Sequence, residues 1–240
     1  MGQQSDDLWM GNAEGPQTNG WASSGNPGVI GEGVGPLGRV YVFDILPVAL
    51  AATAVCAAQA VAGAGNATIN GTLATSGTAT FDYARVFTIV TSNAGNTTQT
   101  VTITGTDYYG QTQTQTLTCN GVTTVTSTKT FKTITRVAVS AALTGNLSVG
   151  SGDVFGLPYA VTDAGYLLRT GWSSAVADNA GTFVAAVSTT PSATTGDVRG
   201  TFLPSTAANG TRRLVIAIGM TAIQAGPNAT KAGAIGVTPA

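Results

Sequence analysis

Between Thr98 and Thr118 the chain alternates with a period of two on both sides of a short turn, and no other feature narrows the fold so far. Thr98 to Thr106 reads TQTVTITGT, which puts Thr98, Thr100, Thr102 and Thr104 on one face and Gln99, Val101 and Ile103 on the other. Asp107-Tyr108-Tyr109-Gly110 has the composition of a type I turn, with Gly110 placed for a positive φ. Gln111 to Thr118 (QTQTQTLT) then returns with Thr112, Thr114, Thr116 and Thr118 on one face. Threonine is β-branched, so it favours strands, and its hydroxyl can stay wet. Two facing rows of threonine make a neutral, polar sheet surface.

The rest of the chain past residue 38 reads in the same way. Arg39 to Leu46 is a strand bounded by Gly38 and Pro47. Short β segments follow near 67–74, 78–82 and 85–91, then near 122–127, 129–140, 145–149 and 153–162 after the hairpin. Further strands are expected over Gly165 to Arg169, Thr182 to Ser188, Asp197 to Leu203 and Arg212 to Ile223. Within the last, LVIAIGM is apolar on both faces and reads as buried. One helix is expected, over 48–62, from its alanine content, Pro47 at its first turn and Gly63 past its end, although it has no amphipathic face. Many short strands with turn punctuation give an all-β fold, a β-sandwich or barrel-type domain or pair of domains, with an extended N-terminal arm. The divisions are the arm (1–38), a strand plus Ala-rich connector (39–65), a β-domain (66–162) and a second β-rich region (163–240).

The arm is rich in Gly, Pro, Asn, Ser and Gln and has no period of 2 or 3.6. Alone it cannot bury enough apolar surface to offset its ordering entropy. Its large apolar anchors are Leu8, Trp9 and Trp21, spaced as for docking on a neighbouring subunit or wrapping its own domain. Gly33-Val-Gly35-Pro-Leu-Gly38 matches a dinucleotide fingerprint in letters only, because a Gly/Pro loop precedes it and a strand follows.

Composition removes several function classes. Charged residues are 9% of the chain, with 10 Lys plus Arg against 11 Asp plus Glu. No cationic footprint for nucleic acid exists. The 40 threonines and 32 glycines take the place of charge, and there are no histidines. Ser-His-Asp and Cys-His mechanisms and His-ligated metals are thereby excluded. The carboxylates are scattered singly; Asp107, Asp153 and Asp163 read as turn and cap residues. No cofactor is expected. The apolar run from Ile45 to Gly65 is mostly alanine, contains Pro47 and Gln59, and does not read as a membrane span. Cys56 and Cys119 read as buried free thiols of a protein made in a reducing cytosol.

Three strings resemble a recurrent β-rich segment of tailed-bacteriophage virion proteins. They are the T-x-T-G-T-D-x-x-G pattern at Thr102–Gly110, K-x-F-K-x-I-T at Lys129–Thr135 and V-G-x-G-D-V-F-G-L-P at Val149–Pro158. The stretch TTPSATTGDVRGTFLPSTAANGTRRLVI is similar to the tail end of such proteins, so the resemblance covers roughly residues 66 to 220. Size and the lack of enzymatic residues are most like a capsid decoration (cement) protein. The resemblance implies a non-enzymatic protein on the outer capsid surface of the virion, made in the bacterial host cytoplasm. Its partners would be the major capsid protein and itself, as a homotrimer or else a dimer, with neither nucleic acid nor membrane. Leu8, Trp9, Trp21, Tyr41 and Phe43 are the expected subunit or capsid contacts. A head fibre or tail protein, or a carbohydrate-binding module, is the alternative; Tyr108 and Tyr109 at the hairpin tip are the sequence's hint of a sugar surface.

Overall fold

A computed structural model describes residues 39–173, 181–187, 196–220 and 234–235. The arm, with Leu8, Trp9, Trp21 and the Gly33–Gly38 string, lies outside the described residues. The strands in chain order are β1 (Arg39–Ile45), β2 (Cys56–Ala60), β3 (Gly65–Asn66), β4 (Ala74–Thr75), β5 (Thr78–Thr91), β6 (Thr100–Thr106), β7 (Thr112–Thr118) and β8 (Val125–Val139). They continue as β9 (Asn146–Gly156), β10 (Ala160–Val161), β11 (Leu167–Trp172), β12 (Thr182–Val184), β13 (Thr201–Leu203), β14 (Leu214–Met220) and β15 (Ala234–Ile235). The fold is all-β, and every pairing is antiparallel.

The large sheet runs β12-β13-β9-β5-β8-β6-β7, with β2 added beside β9, β3 beside β8 and β4 beside β5. A second sheet has the order β1-β14-β11, and β10 pairs with β15. β1 therefore joins one sheet and β2 the other.

The hairpin forms in the register that its alternation dictates. Thr100 faces Thr118, Thr102 faces Thr116 and Thr104 faces Thr114. The hydroxyls of Thr102 and Thr116 are hydrogen-bonded across the strands at 2.8 Å. Val101 and Ile103, on the opposite face, are fully buried. Gly110 closes the turn at φ +83°, where a side chain would be strained.

β7 lies at the end of the strand order, yet it is tied back to β8 across the concave side. Gln113 Nε2 donates to the Thr130 carbonyl, Gln115 Nε2 donates to Thr128 Oγ1 at 2.7 Å, and the Lys129 amide donates to Gln115 Oε1 at 3.0 Å. Lys129 Nζ reaches the Thr114 carbonyl at 3.2 Å. Glutamine amides thus satisfy backbone groups that a neighbouring strand would otherwise meet, and the sheet curls into a half-barrel.

Among the described residues two hydrophobic cores result. Phe81, Phe87, Ile89, Val101, Ile103, Phe131 and Val149 belong to the one inside the curl. Phe87 and Phe131 meet edge-on at 5.4 Å, a geometry worth about 0.5–1.5 kcal/mol beyond area burial. Ala84, Phe155, Trp172, Phe202, Leu214 and Ile216 belong to the other, beneath the three-stranded sheet. β5 and β9 supply residues to both.

The expected helix over 48–62 is not formed. Residues 51–55 are irregular and Cys56–Ala60 is a strand on the edge of β9. The segment lies close against β9: the Val55 amide donates to Val149 O at 2.9 Å, and a Cβ on Gly150 would overlap the Ala51 carbonyl. With no apolar stripe there was no face to bury as a helix. The segment over 67–74 is turn and loop, leaving only the short β4. Conversely, 78–82 and 85–91 are one strand, as are 122–127 and 129–140 in large part, because register shifts near Arg85, Val86 and Thr88 carry β5 through as bulges. Among the described residues no helix is long and apolar enough to cross a membrane.

Candidate functional site

The turn of the Thr hairpin meets the second sheet, and five of the six tyrosines gather there. Asp107 builds the turn: its Oδ1 accepts from the Tyr109 amide at 2.8 Å and from the Gln111 amide at 2.9 Å. Its Oδ2 holds Arg199 Nη2 at 2.7 Å, with both side chains almost wholly buried. The Arg199 guanidinium lies 4.7 Å from the centroid of the Tyr109 ring, and the Tyr109 hydroxyl donates to the Pro158 carbonyl at 2.8 Å. Tyr109 is therefore fixed at its amide, its ring and its hydroxyl while remaining 54% exposed.

The rings continue inward from it. Tyr108 stands at 88° to Tyr109 with centroids 4.8 Å apart. Behind Tyr108 lies Tyr83 at 5.2 Å, and behind Tyr83 lies Phe43 at 4.7 Å. Tyr41 and Tyr159 form a second tilted pair at 5.2 Å. Burial raises the Tyr159 phenol's pKa, and the neighbouring Tyr41 and Tyr108 raise it further. Burial likewise raises that of Tyr109, followed by Tyr159 and Tyr108. The deepest phenol, Tyr83, is pushed far up, chiefly by burial and then by Tyr108 and Tyr109. Its hydroxyl is buried and has no hydrogen-bond partner; the Tyr108 phenol approaches without completing a bond.

Arg199 is itself positioned from below. The Asp197 carboxylate accepts from the Arg199 amide at 2.9 Å and from both the amide and hydroxyl of Thr130, at 2.8 and 2.7 Å. Burial pushes the Asp197 carboxyl up; the Thr130 and Arg199 hydrogen bonds oppose it. Burial pushes the nearby Lys129 ammonium down.

Of the expected contact residues, Tyr41 and Phe43 belong to this aromatic cluster, and Leu8, Trp9 and Trp21 lie outside the described residues. Tyr108 and Tyr109 are part of it; Tyr83, Tyr159 and Arg199 were not anticipated. The turn and cap roles hold for Asp107 and for Asp163, whose Oδ1 accepts from Gly165 N at the start of a single 3-10 turn. Asp153 has a different role, as the partner of a buried arginine, because β9 carries it inward rather than through a turn.

A second surface is aliphatic. A groove of about 570 Å³ is lined by Leu50, Val86, Thr88, Leu203, Pro204 and Ala207 among others. Leu46, Val48, Leu50 and Leu203 are exposed large apolar side chains. Comparison with family models, curated proteins and solved structures finds no match to this chain.

Proposed function

We propose that this chain is a non-enzymatic capsid decoration protein of a tailed bacteriophage, binding the outer capsid surface and clamping adjacent subunits of the major capsid protein. The observation that carries the reading is the bonding between the strings that resemble phage virion proteins. Asp107 of the first holds Arg199 of the last; Tyr109 of the first donates to Pro158 of the third; Thr130 of the second donates to Asp197 of the last. The resemblance therefore rests on one interlocked unit rather than on scattered look-alike segments.

The surface suits such a role. The buried Arg85, Asp153, Arg199 and Asp107 are paired internally, and the exposed aliphatic groove is the kind of patch that a protein partner covers. Many weak contacts of this sort, multiplied by closed symmetry, hold a shell together. The self-association proposed with it is a homotrimer at three-fold positions, with a dimer at two-folds as the alternative.

The test is quantitative mass spectrometry and cryo-electron microscopy of virions that carry the chain. Density on the outer shell with on the order of hundreds of copies per particle is the expected result for a symmetry-repeated subunit. A handful of copies, or density confined to the tail or to a fibre, would overturn it.

A further inference from the structure

The tyrosine cluster carries more than a packing role. Packing alone accounts for Phe43 and Tyr83, which belong to the second core or pack on it. It does not account for Tyr109, which is more than half exposed although three separate interactions hold it still. Nor does it account for Tyr108, exposed at right angles beside it. Two exposed rings set at 88° form a corner, with Tyr159 and Tyr41 close by.

We propose that this corner is a binding site for a neutral oligosaccharide. Tyr108 and Tyr109 supply the stacking faces, and Tyr41 and Tyr159 border them. A pyranose ring has an apolar C–H face and a rim of hydroxyls. Tyrosine matches both, with a flat ring and a polar tip, and it loses little conformational entropy on binding. Here that cost is lower still, because Tyr109 is already immobilised.

The charge at the site selects for neutrality. Arg199, the cation beneath the platform, is neutralised by Asp107 at 2.7 Å and covered by the Tyr109 ring, so it offers no free charge to a phosphate, sulfate or carboxylate. A second observation lies directly behind the exposed rings. The Tyr83 hydroxyl behind Tyr108 is buried without a hydrogen-bond partner, an arrangement that is unfavourable unless something supplies one. A sugar hydroxyl entering beside Tyr108, or a water that it orders, satisfies that phenol. The inference stands apart from the capsid attachment proposed above, since it uses the tyrosine corner and not the aliphatic groove.

Affinity gel electrophoresis tests it, with mixed-linkage β-glucan, galactomannan, xylan and dextran as neutral probes and heparin as the anionic one. At least one neutral polysaccharide should retard the full chain, and heparin should not. Tyr108→Ala and Tyr109→Ala should each weaken that retardation by roughly tenfold or more, the loss of a buried stacking contact. Tyr109→Phe should keep most of it, and Val122→Ala, an exposed control elsewhere, should leave it unchanged. Circular dichroism and thermal melts of the variants establish that they fold. No retardation by any neutral probe would overturn the proposal, as would retardation by heparin alone or unchanged retardation in both alanine variants. Particle attachment should survive in Tyr108→Ala, so failure here and failure of the decoration role are separable.

Discussion

Arg85, which is fully buried, holds the Asp153 carboxylate through Nη2 at 2.6 Å. Its Nε donates to the Gly152 carbonyl at 2.7 Å and its Nη1 to the Val48 carbonyl at 3.0 Å. The guanidinium also sits 4.9 Å from the centroid of the Phe155 ring. The other Asp153 oxygen accepts from the Ala208 amide at 3.1 Å. One ion pair thus pins β5, β9, the loop after β1 and the loop before β14.

Removing Asp153 leaves the buried Arg85 with only the longer Asp82 carboxylate contact at 3.4 Å. Asp153→Ala should therefore cost about 3–5 kcal/mol in urea unfolding. Arg85→Met combined with Asp153→Leu should cost less than Asp153→Ala alone. A double variant that is the least stable of the set would contradict this account.

Gly105 lies where the β6–β8 register shifts, and a Cβ there would overlap the Thr133 carbonyl oxygen. Backbone cannot give way as a side chain can. Gly105→Ala should destabilise by about 3 kcal/mol, at the upper end of overpacking costs. Gly63→Ala, which meets nothing within 4 Å, should stay within about 0.5 kcal/mol of the parent.

Gln115 substitutes for a strand at the edge of the curl. Gln115→Leu should strand the buried Lys129 amide and cost about 1–3 kcal/mol. Hydrogen exchange gives the specific readout: the Lys129 amide should lose protection well beyond that of its strand neighbours. Uniform loss across β8 would argue for general destabilisation instead.

Burial pushes the Cys56 thiol from 9.0 up to about 12. The unfolded chain then releases this proton near pH 9 while the folded chain keeps it, so stability falls as pH rises from about 9 to 12. The slope is about 1.4 kcal/mol per pH unit. Below pH 9 both states hold the proton and Cys56 contributes no pH dependence. Urea midpoints under reductant for the parent and for Cys56→Ala should converge or cross as pH rises from about 8 to about 10.5, by about 2 kcal/mol. A constant gap would mean that the thiolate forms freely in the folded state.

The hairpin was legible residue by residue because alternation and turn chemistry are local. The Ala-rich segment was not. Alanine favours helix in isolation, but here the backbone of Ala51 and Ala52 lies against Gly150, a partner about a hundred residues away whose missing side chain leaves the room. Long strands were divided at Tyr83-Ala84, at Thr128 and at Gly150-Ser151-Gly152, since a bulge and a strand end look alike in sequence. Four of the site's seven residues could be read: Tyr108 and Tyr109 stand at a turn, and Tyr41 and Phe43 in β1. Tyr83, Tyr159 and Arg199 join them only through pairings between distant strands. The lone signal was the Asp-Val-Arg-Gly string at 197–200, whose arginine needed a buried acid and found it in Asp107.

β5 and β9 run through both cores, Phe87 and Val149 in one and Ala84 and Phe155 in the other. Paired from Arg85–Phe155 to Thr91–Leu147, they act as a single beam with the cores mounted along it. A pull on either core is carried as shear along a row of backbone hydrogen bonds, which must fail together, and not as the opening of a hinge. Under the proposed decoration role, shell expansion or internal pressure would be transmitted through the protein rather than absorbed within it.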